Sequence, residues 1–224
     1  MVELSKPREF EAVVPTESTL AVANFTTRRP QDPRAVLVLV PGSNGDGRFD
    51  VHDRHWTRFA EQQNLALVGC FFKDKIPSPI EGYIRVEQGS GDCLLSALED
   101  SKLGHLPILM WGFSAGGEYN YEFTCWITQT QPDRVAAFVV NKGGIYCTAL
   151  APEGARKVPG IFFIGDKDAV YRRSILQGIW SMNVACGAVW EKHHEDVGHI
   201  PANSEDVAKT FFADTLRKLN LKSA

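Results

Sequence analysis

The chain has 224 residues, 44% of them hydrophobic and 23% charged, the make-up of a soluble globular protein long enough to bury a sizeable core. Its formal net charge is −3 and its basic residues are scattered, so it carries no electrostatic footprint for nucleic acid or an anionic membrane. No apolar stretch reaches the roughly 20 residues that span a bilayer, and the first ten residues mix charged and apolar types instead of forming a signal-peptide core.

No Pro/Ser-rich linker, composition shift, charge run or repeat divides the sequence, so residues 1–224 are expected to form one domain. Five cysteines (Cys70, Cys93, Cys125, Cys147, Cys186) are widely spaced without a C-x-x-C pair, which points to free thiols rather than zinc or a redox motif. The odd count favours a reducing compartment. The expected localisation is soluble and cytoplasmic for the chain as it stands, or secreted if a signal was removed ahead of it.

In chain order, segments 11–14 and 20–26 read as an edge hairpin, and Ala35–Val40 as a short aliphatic strand buried on both faces. A Gly/Asn/Asp-rich loop, 41–48, leads to a helix marked by Trp56, Phe59, Ala60 and Gln63. Segment 65–72 is the next strand, followed by a helix opening near Asp92 and a strand over 107–111. Tyr119, Phe123, Ile127 and Thr130 form a helical stripe closed by Pro132. Strands are expected at 135–140, 161–164 and 188–192. The last helix has Ser204 as its expected cap, Glu205 and Asp206 at its positive end, and Val207, Phe211 and Leu219 as its buried stripe. Alternating strands and helices imply a mostly parallel α/β sheet with helices on both faces. In such sheets ligands bind beyond the carboxyl ends of the strands.

Immediately after the strand at 107–111 stands Gly112-Phe113-Ser114-Ala115-Gly116-Gly117, which satisfies G-x-S-x-G. A strand that turns this sharply into a helix leaves room only for glycine two residues either side of the serine. The helix N-terminus beyond it aims free N–H groups at a developing oxyanion. A serine hydroxyl needs a base, and the base an orienting acid. Gly165-Asp166-Lys167-Asp168 offers two carboxylates after one strand, and Val197-Gly198-His199 a histidine after the last. On the residues alone Asp166 and Asp168 are equal candidates. His193 and His194 compete with His199, which the chain order Ser, Asp, His and the preceding glycine favour as base. Neither His193 nor His194 has the third partner that catalytic zinc needs, and no metal or cofactor is expected. A dinucleotide fold is excluded because no G-x-G-x-x-G follows an early strand.

On Gly-Phe-Ser-Ala-Gly-Gly, Gly165-x-x-Asp168 and Gly198-His199, the chain resembles a minimal α/β-hydrolase, close to the esterase branch that includes feruloyl esterases and polyhydroxyalkanoate-depolymerase-like proteins. The resemblance covers nearly the whole chain. It implies Ser114 as nucleophile, His199 as general base and Asp168 as acid, because in such families the acid commonly lies three residues past the glycine that ends its strand. It also implies an oxyanion hole made by the N–H groups of Ala115 and Ser43, with Asn44 as the neighbouring alternative to Ser43. Pro41 stands where many members carry His, and the lipase-type H-G-G-G run is absent.

The reaction so implied is hydrolysis of a small-molecule carboxylic ester, with peptidase, amidase or thioesterase action by the same triad, or a non-catalytic binding protein, as the alternatives. Only about twenty residues lie between Asn141 and Ile161, too few for a large cap domain. Trp111, Phe71, Phe72, Asn141, Lys142 and Tyr171 flank strand ends and are the candidates to line the site.

Overall fold

The structure is a computed structural model that describes residues 2–76 and 80–219. Eight strands form one sheet: β1 (Arg8–Glu11), β2 (Leu20–Arg28), β3 (Ala35–Val40), β4 (Leu65–Asp74), β5 (Ile108–Gly112), β6 (Val135–Asn141), β7 (Gly160–Gly165) and β8 (Trp190–Glu195). Their spatial order is β1-β2-β4-β3-β5-β6-β7-β8. The β1–β2 and β2–β4 pairs are antiparallel, and every pair from β4 to β8 is parallel.

Among the described residues six α-helices flank the sheet: α1 (Arg54–Gln63), α2 (Ser90–Asp100), α3 (Ala115–Ile127), α4 (Glu153–Lys157), α5 (Val170–Ala185) and α6 (Ser204–Lys218). Side chains alternate across a strand, and the central strands divide accordingly between two cores. Val36, Val38, Val40, Ile108, Met110, Phe162 and Ile164 join the buried residues of α2, α3 and α5. Leu37, Leu39, Leu109, Trp111, Ile161 and Phe163 join those of α1 and α6 on the other face. A strand sandwiched between two helical layers has no polar face, hence the unbroken aliphatic run of β3.

Several boundaries differ from the sequence expectation. β1 runs over residues 8–11 rather than 11–14, and β8 over 190–195 rather than 188–192, because pairing with β2 and β7 sets their register. Thr130 lies beyond the end of α3. The buried stripe of α6 is Ala208, Phe212, Thr215 and Leu216, while Leu219 is 48% exposed, so the helix sits rotated by about one residue from the expected face. Ser204 does not cap α6: its hydroxyl donates to the Pro201 carbonyl and accepts from Asn141. Helix α5 carries few buried residues (Leu176, Ile179, Asn183), too sparse a stripe to reveal it by periodicity. The β6–β7 connection, residues 142–159, holds only the five-residue α4 and no cap domain. Among the described residues no helix is long and apolar enough to cross a membrane.

Candidate active site

The carboxyl ends of the central strands bring four loops together. Phe113 and Ser114 alone separate β5 from α3, and Ser114 adopts φ 54°, ψ −124°, a conformation that costs an ordinary residue about 1–3 kcal/mol and persists only where its surroundings dictate it. A Cβ on Gly112 would lie 2.3 Å from the backbone of Gly116, and one on Gly116 would lie 2.2 Å from the Val40 carbonyl oxygen. The G-x-S-x-G spacing is therefore a steric requirement here. The Ser114 N–H donates to the Asn141 carbonyl at 2.8 Å, which ties the turn to the end of β6.

His199 lies in the loop between β8 and α6, with Nε2 3.0 Å from Ser114 Oγ and Nδ1 2.7 Å from Asp168 Oδ2. An ionised carboxylate only accepts, so this contact assigns the proton to Nδ1 and leaves Nε2 free to accept from the Ser114 hydroxyl. The imidazole packs on the Phe113 ring at 4.9 Å between centroids. Asp168 is buried; its Oδ1 accepts the Ala169 N–H at 2.7 Å and lies 3.6 Å from Arg172 Nη1. Burial pulls the Asp168 carboxyl upward, but the hydrogen bonds from His199 and Ala169 and the charges of His199 and Arg172 outweigh it and hold the group below its ordinary value.

Asp166, equal to Asp168 on sequence, pairs instead with His194 at 2.7 Å, away from Ser114 and with both side chains nearly half exposed. His193 points to the opposite face of β8, over the Phe163 ring. Of the six expected lining residues, four are interior. Trp111 packs on Trp56, and Phe72 on Phe25, Tyr83 and Tyr119, while Asn141 and Lys142 are fully buried in a polar network. Phe71 lies under the Arg48 guanidinium, and Tyr171 is 56% exposed.

The β3–α1 loop packs against the nucleophile turn: a Cβ on Gly42 would stand 3.2 Å from the Phe113 carbonyl oxygen and 3.4 Å from Ser114 Cβ. Tyr83 donates its hydroxyl to the Pro41 carbonyl at 2.9 Å, bracing this loop from behind. Asn44, at φ 58°, spends its N–H on Glu81 Oε1 at 3.1 Å. The N–H groups of Ser43 and Ala115 have no acceptor among the described residues.

Sequence reasoning missed two carboxylates on α3. Glu118 accepts the N–H groups of Gly144 and Ile145 at 2.6 and 3.0 Å, and Glu122 accepts those of Cys147 and Thr148 together with the Thr148 hydroxyl. They pin the loop after β6 beside the nucleophile. Burial pushes the Glu118 carboxyl up to about 7, against the pull of the two N–H groups and of Arg172. The sequence signal was a pair of acids four apart on an otherwise uncharged helix.

No family model matches the sequence, and no curated protein matches it by sequence. Solved structures do match in three dimensions. A bacterial heroin esterase superposes with a TM-score of 0.69 at 15% identity, over 98% of this chain and 85% of that one. A ferulic acid esterase does so with a TM-score of 0.67 at 14% identity, over 95% and 97%. S-formylglutathione hydrolase from Staphylococcus aureus gives a TM-score of 0.64 at 15% identity, over 96% and 97%. With its eight-stranded sheet, the serine turn after β5 and these neighbours, the chain has the α/β-hydrolase fold.

Proposed function

We propose that this protein is a serine hydrolase that cleaves small-molecule carboxylic esters, with Ser114 as nucleophile, His199 as general base and acid, and Asp168 as the group that orients His199. The observation that carries this reading is the continuous contact from Asp168 through His199 to the strained Ser114, at 2.7 and 3.0 Å. The esterases among the structural neighbours support it. Ser114 Oγ attacks the ester carbonyl as His199 Nε2 takes its proton. The tetrahedral oxyanion is received by the N–H groups of Ala115 and Ser43, each such donor being worth about 3 kcal/mol. His199 then protonates the departing alkoxide, leaving an acyl-Ser114. A water, deprotonated by the same imidazole, attacks the acyl carbon and releases the acid and Ser114. Asp168 keeps the proton on Nδ1 throughout and stabilises the imidazolium.

Without a cap over the β6–β7 side, the site opens to solvent, and exposed Val170, Tyr171 and Ile200 lie within three residues after the acid or the base in the chain. This suits a small acyl group or the end of a larger substrate held in solution. Labelling with a fluorophosphonate probe, mapped by peptide mass spectrometry and run beside p-nitrophenyl acetate and butyrate hydrolysis, tests the reading. Labelling at Ser114 with turnover abolished in Ser114→Ala is expected. A folded wild type that neither labels nor turns over esters would overturn it in favour of a binding protein, and thioester or amide turnover exceeding ester turnover would move the substrate class.

A further inference from the structure

Two consecutive residues at the end of β6 are buried and polar without serving the chemistry. Lys142 has a side chain with no exposure, and it sits at φ 57°, in the left-handed region that favours glycine. Its ammonium bonds to Asn141 Oδ1 at 3.0 Å and closely to Glu195 Oε2. Asn141, also fully buried, donates Nδ2 to Ser204 Oγ at 2.7 Å, and that hydroxyl donates on to the Pro201 carbonyl. A buried ammonium is tolerated only when paired and hydrogen-bonded, and a strained backbone only when neighbours over-determine it. Both conditions hold here, so the network is built to one geometry.

What that geometry fixes is the loop carrying His199. Glu195 is the last residue of β8 and Ser204 the first of α6, so residues 196–203 run between the two points that Lys142 and Asn141 grip, with Asp196 and Val197 tied also to Lys167 of the neighbouring loop. The loop has no regular structure and few internal bonds, Val197 N–H to Glu195 O at 2.7 Å and Ile200 N–H to Gly198 O at 3.0 Å among them. The same dipeptide holds the nucleophile, since Asn141 O accepts the Ser114 N–H. We propose that Asn141 and Lys142, through Ser204 and Glu195, are positioning residues that set the His199 imidazole against Ser114 and Asp168. The proposal rests on the reading of His199 as the base. Serine and histidine, 85 residues apart, are thereby referenced to one buried point, and a displacement near 1 Å in such a contact costs about 100-fold in rate.

Two variants test this. Ser204→Ala removes one hydroxyl without adding bulk. The double variant Lys142→Met with Glu195→Leu replaces the ion pair by apolar groups, an exchange that buried pairs often tolerate. Two quantities are read: kcat per folded molecule on p-nitrophenyl acetate, with the folded fraction set by near-ultraviolet circular dichroism, and the His199 ring tautomer by long-range ¹H–¹⁵N correlation. The expected result for Ser204→Ala is a kcat lower by about 10–100-fold, a KM within about twofold, and loss of the single Nδ1–H tautomer. The double variant is expected to behave likewise, and if it does not fold, Ser204→Ala decides alone. Folded Ser204→Ala with wild-type kcat and tautomer would overturn the clamp. An inactive wild type would instead overturn the esterase reading, while the tautomer measurement would still report whether the clamp orders the ring.

Discussion

Two histidine–carboxylate pairs lie side by side at the ends of β7 and β8, and they have the same length. His194 meets Asp166 at 2.7 Å and His199 meets Asp168 at 2.7 Å. The first pair is nearly half exposed on both sides, whereas the Asp168 side chain is 4% exposed, bonded to the Ala169 N–H and approached by Arg172. Only the second imidazole offers its other nitrogen to a serine. The hydrogen bond therefore does not separate a surface contact from a candidate catalytic pair. Burial of the acid, additional partners that hold it, and a third group beyond the ring do so.

Substituting the histidines should give the widest separation. His199→Ala is expected to lower kcat on p-nitrophenyl acetate by on the order of 10⁴-fold, and His194→Ala to leave it within about twofold. Steady-state kinetics on both folded variants checks this, and a comparable loss in His194→Ala would erase the distinction. Changing the acids should follow with a somewhat smaller gap. Asp168→Asn presents an amide that cannot fix the productive tautomer, for an expected loss of about 10³–10⁴-fold, while Asp166→Asn should be nearly silent. Because Asp168 is held below its ordinary value of 3.8, it contributes stability above that pH which is lost as pH falls through the lowered value. Thermal unfolding from pH 6 down to pH 3 should therefore converge for wild type and Asp168→Asn.

Glu118 sharpens the contrast from the opposite side. It too is buried and accepts backbone N–H groups, but here burial outweighs those bonds and the pull of Arg172, and raises it from 4.5 to about 7. The titratable groups that face it are Arg172, Glu122, the Tyr83 and Tyr146 hydroxyls and the Cys147 thiol. A raised carboxyl stabilises the fold fully below about pH 4.5 and loses that contribution as pH rises through 7, a difference worth about 3 kcal/mol. Glu118→Gln keeps the acceptor oxygen without the charge. Its melting temperature is expected to gain on that of the wild type between pH 5 and pH 8.5, and parallel profiles would refute this. The smallest effect expected is on the exposed pair, where Asp166→Asn should cost less than about 1 kcal/mol in urea unfolding.

What sequence could reach was local. The strand-turn-helix around Ser114 follows from consecutive residues, since an aliphatic run, two obligatory glycines and a helical stripe each state their own conformation. The strands β3, β4, β5, β6 and β7 were legible for the same reason, each holding a buried and mostly apolar run, which in β4 stops short of Lys73 and Asp74. Helix α5 was not, because most of it faces solvent, and neither was the rotation of α6, which depends on what the sheet presents to it. The choice between Asp166 and Asp168 came from resemblance rather than from the residues, because two acids two positions apart look alike until the loop is folded.

The sequence by itself determined the alternating α/β architecture and the serine turn, which are encoded within stretches of about a dozen residues by periodicity and steric exclusion. Only the tertiary structure decided which acid faces which histidine, that Asn141 and Lys142 are interior and not lining, and that Glu118 and Glu122 hold the loop after β6. Those outcomes rest on contacts between residues as far as 25 to 63 positions apart. Burial, which raises the Glu118 carboxyl and opposes the bonds that hold Asp168 down, is a property of the assembled sheet and helices together.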